Sequence, residues 1–381
     1  MKITGHELFL VEPRWLFLRV DTDEGVSGWG EPIVEGRAHT VATAVGELME
    51  LIDGKDPFRI EDHWQTLAKA GFYRGGPVLS SALAGIDQAL WDIKGKALGV
   101  PVYELLGGPV RDRVRVYGGL YGTDDAELVA SARRQVDSGL TMVKLNPADL
   151  LAHLDTPAAL HAVIERVAAV REEIGFGVDL ALDCHGRFST PMARRFLARL
   201  EPYEPAFVEE PVLPEFSAHL GSIAAGTPIP IATGERLYSR WDFRDVLGSG
   251  IAVAQPDLSH AGGISEVRRI AAAAETYDVA LAPHCPLGPI AFAACLQVDV
   301  ATPNFLAQEQ SLGLGYHPDA GQVDYLADPS VFAVADGHVA RPTAPGLGIE
   351  IDTDQVARAA ERGHRWRNPV WRHADNSLGS W

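Results

Sequence analysis

Three carboxylates stand at the ends of short apolar runs in the second half of the chain. Asp183, Glu209 and Glu235 each close such a run, and each acid follows the previous one by 26 residues. That spacing is about the length of one strand and helix unit, so three consecutive parallel strands would bring the acids to one edge of a barrel. Their repulsion would then require a cation, and hard oxygen ligands suit Mg²⁺. We therefore predict a magnesium site.

Each of these acids, taken alone, is more simply a solvated charge at a strand end or a helix N-cap. Three acids at equal spacing are harder to explain in that way. Glu210 follows Glu209 directly, and because side chains alternate along a strand, only one of the two faces the barrel interior. Periodicity does not choose between them.

The next strand ends carry groups that fit acid and base chemistry. Asp257 closes the sixth run and His284 closes the seventh, so adjacent strands would bring them together. An Asp that accepts from one imidazole nitrogen orients the ring and leaves the other nitrogen as a base, although a histidine beside a proline is more often structural. Glu309 closes the eighth run, and if it is protonated among other acids it could donate to a substrate carboxylate.

The stretch "ALDCHGRFS", residues 181 to 189, places a histidine two positions after the first acid. Alternation gives Asp183 and His185 the same face, and it directs Cys184 toward the helices as a packing residue. Strands three and seven are four apart in a ring of eight, so His185 and His284 would flank a bound substrate as an acid and a base.

From residue 113 onward, short apolar runs alternate with helix-length segments, which is typical of an α/β fold. The runs are "RVRVYGG", "TMVKLN", "VDLALDCH", "AFVEEP", "PIATGE", "IAVAQPD", "VALAPHC" and "NFLAQEQ". Eight such runs favour a closed barrel, and no GxGxxG motif follows any of them.

The first 112 residues have a different pattern. "WLFLRVDTDEGVSGWGE" predicts two strands with a turn at Asp23, Glu24 and Gly25, and helices are expected around 39–52, 60–70 and 78–98, the last capped by Gly99. We predict an α+β capping domain over 1–112, a barrel over 113–349 and a segment over 350–381 that returns to the cap.

Composition limits the class of protein. The 381 residues include 33 basic and 51 acidic ones, for a net charge of −18, which argues against a nucleic-acid partner. Three cysteines without CxxC spacing fit a reducing, cytoplasmic setting. The N-terminal apolar run is too short for a signal peptide, and no stretch approaches the length of a membrane span, so we expect no membrane association.

Several stretches carry a resemblance to a known family. They include "TDEGVSGWGEP", "AGFYRGGPVLSSALAGIDQALWDIKGK", "LDCHGRFSTPMA", "FVEEPV", "GERLYSRWDF", "QPDLSHAGGISE", "LAPHCPLGPIA" and "WRNPVWRHADNS". The chain resembles the enolase superfamily in its mandelate racemase-like branch, most closely the acid-sugar dehydratases that act on D-galactonate. The resemblance implies a modified TIM barrel, (β/α)7β, with an N-terminal α+β cap that the C-terminal segment completes.

The resemblance also implies roles for the site residues. It selects Glu209, not Glu210, as the metal ligand beside Asp183 and Glu235. By the same resemblance, His284 paired with Asp257 is the base that removes the C2 proton. His185 is the acid that protonates the 3-hydroxyl, and Glu309 helps to hold the carboxylate.

The implied reaction is Mg²⁺-dependent dehydration of D-galactonate to 2-dehydro-3-deoxy-D-galactonate through an enediolate. Gluconate, arabinonate or another aldonate remains an alternative substrate, and an acid-sugar racemase or epimerase remains an alternative activity. Racemases and cycloisomerases of the superfamily carry Lys-x-Lys on strand two, where this chain has Lys144, Leu145 and Asn146. The missing second Lys weakens that alternative.

In this superfamily two loops of the cap cover the barrel mouth, and here they would carry Arg14 with Trp15 and the "GFYRGG" stretch with Tyr73 and Arg74. We expect these four side chains, together with Lys144 and Asn146, to contact the aldonate. An interface or packing role is an equal alternative for each of the cap residues, and a role as a buried cation at the strand end is an equal alternative for Lys144. The resemblance further implies a homo-oligomer.

Overall fold

A computed structural model of the chain describes residues 1–311 and 322–381. Residues 312–321, within the predicted barrel domain, lie outside the described residues. The chain begins with an antiparallel sheet and a set of helices: β1 (Ile3–Val11), β2 (Trp15–Thr22), β3 (Ser27–Gly30), α1 (Ala38–Met49), α2 (Ile60–Lys69), α3 (Gly76–Leu98) and α4 (Val102–Leu105).

The predicted strand pair corresponds to β2 and β3, which meet at a turn where Gly25 N–H donates to Thr22 O over 3.1 Å. The sequence prediction missed β1, whose polar residues interrupt the apolar run and whose side chains are only partly buried. The three predicted helices agree with α1, α2 and α3 to within three residues at each end, and Gly99 ends α3 with a φ of 69°.

Helix α3 is buried along most of its length because it lies directly against β3. A Cβ atom added to Gly30 would lie 1.9 Å from Gly85 O, and one added to Gly28 would lie 2.1 Å from Ala89 O. The sequence "SGWG" therefore permits a strand and a helix backbone to approach more closely than any larger side chains would allow.

The barrel consists of eight parallel strands, each paired with the next strand from β4 to β10, and β11 closes the ring by pairing with β4. An isolated parallel bridge between Leu281 and Phe305 joins the β10 and β11 segments. In chain order the barrel elements are β4 (Arg113–Gly119), α5 (Asp125–Asp137), β5 (Met142–Leu145), α6 (Pro157–Ile174), β6 (Asp179–Asp183), α7 (Thr190–Leu200), β7 (Phe207–Glu209), α8 (Leu220–Ala224), β8 (Ile231–Thr233), α9 (Arg240–Leu247), β9 (Val253–Ala254), α10 (Gly263–Thr276), β10 (Ala280–Leu281), α11 (Pro289–Ala301) and β11 (Gln308–Gln310).

One layer of side chains fills the barrel interior below the strand ends. Each strand or its immediate flank contributes one buried residue: Tyr117, Met142, Ala181, Phe207, Ala232, Val253, Ala282 and Ala307. Because side chains alternate along a strand, the residue two positions later faces the same interior one level higher. That level holds Asp183 above Ala181 and Glu209 above Phe207.

The C-terminal part of the chain returns to the cap. A hairpin of β12 (Val334–Ala335) and β13 (His338–Ala340) adds to β4, and α12 (Thr353–Arg362) follows. Beyond α12, His364 Nε2 lies 3.0 Å from Trp15 O, and Asn368 donates to Glu35 O over 3.3 Å. The fold is thus a modified TIM barrel with an N-terminal capping sheet, as predicted. Within the described part of the chain, no helix is both long enough and apolar enough to cross a bilayer.

Candidate active site

Two cavities meet at the carboxyl ends of the barrel strands, and His185 and His284 line both of them. The barrel cavity, of about 440 Å³, is also lined by Lys144, Asn146 and Glu309, among others. The cap cavity, of about 470 Å³, lies between the barrel, the N-terminal cap and the C-terminal segment. The two predicted reactive histidines therefore lie at the boundary between two spaces of different composition.

Lys144 at the end of β5 connects three buried acids. Its Nζ lies 3.1 Å from Asp183 Oδ2, 3.1 Å from Glu209 Oε2 and 2.8 Å from Glu309 Oε1. Burial alone would lower the pKa of Lys144, but the three carboxylates outweigh burial and raise that pKa well above its usual value. The side chain is therefore a fixed cation at the base of the barrel cavity.

The carboxylates retain oxygens that no described residue satisfies. Glu209 Oε1 and Glu235 Oε2 are buried and make no hydrogen bond with any described group, although His284 Nε2 lies 3.5 Å from Glu235 Oε2. Burial and the neighbouring Asp183 hold the pKa of Glu209 well above its usual range. Buried carboxylate oxygens without donors are costly unless a cation binds them, so this donor set fits a hard divalent ion.

Two sets of three side chains bring potential ligand atoms within 4.8 Å of one another: Asp183, His185 and Glu235, and Asp257, His260 and His284. The first set shares two members with the predicted metal site and has His185 in place of Glu209. His185 Nε2 lies 3.0 Å from Asp183 Oδ2, an ion-pair contact that an imidazole makes with a carboxylate. The structure thus contains an acidic metal-binding group, and Glu209 lies beside it.

Glu209 and Glu210 have different partners. Glu209 ends β7 facing Lys144, whereas Glu210 follows with a φ of 41° and accepts two hydrogen bonds from the Arg236 guanidinium. The strand register supplies the physical reason, since Phe207 occupies the interior layer and Glu209 is two residues beyond it. The two hydrogen bonds from Arg236 balance the charge of Glu210, so Glu210 has a partner other than Lys144.

His284 and Asp257 make the contact that the adjacent runs predict. His284 Nδ1 lies 2.8 Å from Asp257 Oδ2, and both side chains are buried. An ionised carboxylate only accepts, so Nδ1 carries the hydrogen and Nε2 is left facing the cavities. Asp257 is itself held by the backbone N–H groups of Ser259 and His260, which both donate to Oδ1.

His185 lies beyond the end of β6, and its backbone has a φ of 48°. The imidazole lies on the same side as Asp183, as alternation predicts, but a left-handed residue beyond the strand and not a strand residue turns it there. Asn146 Nδ2 lies 2.8 Å from His185 Nδ1. The residue that replaces the second Lys of Lys-x-Lys thus contacts the imidazole. Cys184 lies in the apolar core, as expected for a packing residue.

Glu309 accepts from Lys144 at one oxygen and from Cys285 N–H at the other, the latter over 3.1 Å. Both partners are hydrogen-bond donors, and the predicted proton on Glu309 stays a prediction.

Comparison with known proteins agrees with this geometry. Residues 127–356 match the enolase C-terminal domain-like family, and residues 10–107 match the N-terminal domain of the mandelate racemase / muconate lactonizing enzyme family. The chain belongs to the mandelate racemase / muconate lactonizing enzyme family of the enolase superfamily.

Individual relatives of this family are similar over the full length. The chain is 54% identical to a D-galactonate dehydratase of Variovorax paradoxus and 53% identical to one of Ralstonia pickettii, with 100% of both chains covered in each case. A solved enolase from Agrobacterium radiobacter, with bound Na and L-malate, is 33% identical with a TM-score of 0.91, and 100% of each chain is covered.

Not every residue predicted to contact substrate reaches the cavities of this family member. Trp15 is 2% exposed in β2 and packs against Phe17 and Tyr325. It lines neither cavity, and its contact with substrate stays a prediction. An indole in a strand that faces the sheet core is buried by its neighbours. Arg14, one residue earlier, does line the cap cavity.

Tyr73 and Arg74 also lie away from both cavities. Tyr73 is 87% exposed, and both residues line a separate, largely apolar cavity of about 420 Å³ beside Trp64 and Trp241. They line neither cavity in this structure, and their contact with the aldonate stays a prediction.

Several residues that line the cavities were not predicted from the sequence. Aromatic side chains of the C-terminal segment, Trp366, Trp371 and Trp381, cover the mouth, and the Trp381 ring is 5.9 Å from that of His185. Arg187 stacks on Trp371 with its guanidinium 4.9 Å from the ring centre. The repeated Trp and Arg residues of "WRNPVWRHADNS" are the sequence feature from which a role in lining the cavities could have been predicted.

Proposed function

We propose that this protein is a Mg²⁺-dependent acid-sugar dehydratase that converts D-galactonate to 2-dehydro-3-deoxy-D-galactonate. The observation that carries this proposal is the pair of histidines at one boundary, one bound to Asp257 and the other bound to Asp183, beside buried carboxylates with unsatisfied oxygens. The full-length relatives named D-galactonate dehydratase support D-galactonate as the proposed substrate.

The residues proposed to hold the metal are Asp183, Glu209 and Glu235. Their carboxylate oxygens are the hard donors that Mg²⁺ prefers, and the unsatisfied Glu209 Oε1 and Glu235 Oε2 support this assignment. When bound there, Mg²⁺ would supply positive charge that stabilises the negative charge developing on the substrate carboxylate.

His284 is the proposed base. Its Nδ1–H is held by Asp257, so the neutral ring presents the Nε2 lone pair to the proton at C2. The C–H bond breaks, the proton moves to Nε2, and the electron pair enters the carboxylate as an enediolate. Lys144 and Glu309 line the barrel cavity, where we propose that they orient the substrate carboxylate.

His185 is the proposed acid, facing the same boundary from the opposite strand. A hydroxide leaves poorly, so the 3-hydroxyl must receive a proton as the C3–O bond breaks, and the enediolate electrons then form the C2–C3 double bond. Asp183 and Asn146 hold the imidazole on either side. The resulting enol tautomerises to the 2-keto acid, and the balance is loss of one water.

We further propose a cytoplasmic location, which suits three buried, unpaired cysteines, and a homo-oligomeric state. The experiment that tests the function is a screen of stereochemically defined aldonates with Mg²⁺, with the 2-keto acid product detected. We expect the highest kcat/KM for D-galactonate. Product from gluconate or arabinonate alone would reassign the substrate, and no product from any aldonate would reject the dehydratase function.

A further inference from the structure

The cap cavity contains a charged pair to which neither the sequence nor the proposed reaction assigns a role. Glu35, from the loop before α1, lies opposite His260, from the loop after β9, and His260 Nε2 is 3.3 Å from Glu35 Oε2. On the other side, Arg14 lies 3.8 Å from Glu35 Oε1. Cap and barrel thus each contribute one member of a pair that lines the cavity beside His284.

The His260 imidazole lies in the wall of the cap cavity with its Nε2 next to Glu35. The side chain is 7% exposed, and Nε2 makes no well-aligned hydrogen bond with any described residue, although the Glu35 carboxylate is 3.3 Å away. Burial lowers the pKa of His260, but Asp257 and Glu35 outweigh burial and the net pKa is raised. A buried N–H that its neighbouring carboxylate satisfies poorly gains from a better-aligned acceptor, such as a hydroxyl oxygen of a ligand.

Glu35 supplies the complementary group. Burial raises its pKa, but contact with His260 and Arg14 outweighs burial and holds that pKa below the usual range. An ionised carboxylate accepts hydrogen bonds from two hydroxyl groups at once, and an imidazole N–H donates to a third oxygen. Donors and acceptors side by side suit a polyol, whose hydroxyls need both.

The position of the reacting carbons decides which part of a substrate reaches this pair. Lys144 and Glu309, the groups proposed to orient the carboxylate, line the barrel cavity and not the cap cavity. If C2 and C3 lie between His284 and His185 at the boundary, the rest of the carbon chain extends away from the carboxylate, into the cap cavity.

We infer that Glu35 and His260 bind the hydroxyl groups of the aldonate beyond C4, and so select substrates by the length and hydroxylation of that end. This inference rests on the proposed dehydratase function and deepens it. It makes both side chains specificity residues, distinct from the groups that move protons.

The test compares a full-length substrate with a truncated analogue. L-Threonate has the configuration of D-galactonate at C2 and C3 and lacks the last two carbons. In Glu35→Gln and in His260→Gln, kcat/KM for D-galactonate should fall roughly 10- to 100-fold, as for loss of hydrogen bonds to a charged group. The inhibition constant of L-threonate against D-galactonate should stay within about threefold of wild type.

A matched control is Glu165→Gln, which makes the same change from carboxylate to amide at an exposed residue of α6 that lines neither cavity. We expect it to leave both constants near wild type. Equal losses for D-galactonate and L-threonate in the Glu35 and His260 variants would overturn the inference, because they would indicate a general effect on the Asp257 and His284 pair. An equal loss in Glu165→Gln would also overturn it, because it would show that the effect does not depend on the cap cavity.

Glu35 and His260 are changed in separate variants, and circular dichroism shows whether each variant folds. If one variant misfolds, the other still tests the inference. Failure of the proposed function is distinguishable from failure of this inference. In the first case wild-type protein yields no 2-keto acid from any aldonate, whereas in the second it does so and the variants do not discriminate by chain length.

Discussion

The barrel cavity and the cap cavity differ in how the chain builds them. The barrel cavity is lined in part by residues at strand ends, such as Lys144, Asp183 and Glu309, and the interior layer of the barrel fixes their direction. The cap cavity is lined by loops from distant parts of the chain, among them those that carry Arg14, His260 and Asn368. The residues at strand ends thus stand on a rigid frame, and the residues from the cap and the C-terminal segment stand on connections that change more readily.

The largest effect on catalysis is expected from a change in one of the proposed metal ligands. Glu209→Gln should lower kcat/KM by about 10³-fold or more, since several kcal/mol of charge stabilisation are lost with the ion. It should also abolish the rise in melting temperature that Mg²⁺ produces by binding the folded state. Thermal unfolding with and without Mg²⁺ measures the second effect independently of turnover.

Glu210→Gln is the matched control, because it makes the same change at the neighbouring residue. Glu210 pairs with Arg236, so this variant should retain the Mg²⁺-dependent rise in melting temperature. If both variants lost the rise equally, the assignment of Glu209 by strand register would be wrong.

The next largest effect distinguishes the proposed roles of His185 and His284. His185→Asn should reduce dehydration about 10²- to 10⁴-fold, the usual contribution of a general acid, while exchange of the C2 proton with D₂O persists because His284 and Asp257 are intact. Proton NMR in D₂O follows exchange and elimination in one sample.

His284→Asn is the comparison for that experiment, since it should lose both exchange and elimination. Undiminished elimination in His185→Asn would exclude His185 as the acid. Exchange that inverts C2 in the wild type, without loss of water, would favour the racemase or epimerase alternative.

The contrast between the cavities also explains what the sequence could predict. Spacing and strand adjacency were sufficient to bring Asp183 to the barrel mouth and Asp257 next to His284, because neighbouring strands of a closed barrel have a fixed register. They did not choose between Glu209 and Glu210, and only the family resemblance selected Glu209. The side of the strand end that His185 faces was predicted correctly, but its left-handed backbone was not. The division into 1–112, 113–349 and 350–381 stays a prediction.

Residues on loops could not be predicted in the same way. The pair of Glu35 and His260 joins positions far apart in the chain, and no periodic pattern relates them. The burial of Trp15 depends partly on Tyr325, whose ring lies 5.9 Å away and comes from the other end of the chain. Local pattern therefore predicted which residues lie at the strand ends, and tertiary contacts between distant segments determine which cap residues line the cavities.

The smallest effect on catalysis is expected from the two cap positions that do not reach the cavities. Trp15→Leu should lower the free energy of unfolding by about 2–4 kcal/mol through loss of core packing, and Tyr73→Ala, at an exposed site, should change it by about 0.5 kcal/mol or less. Because neither side chain lines the cap or barrel cavity, KM and kcat for D-galactonate should remain within about twofold of wild type in both variants. Urea unfolding and steady-state kinetics provide the two readouts. A raised KM in Tyr73→Ala with unchanged stability would show that residues 71–76 move onto the bound aldonate, and the cap cavity would then gain a wall that forms only with substrate.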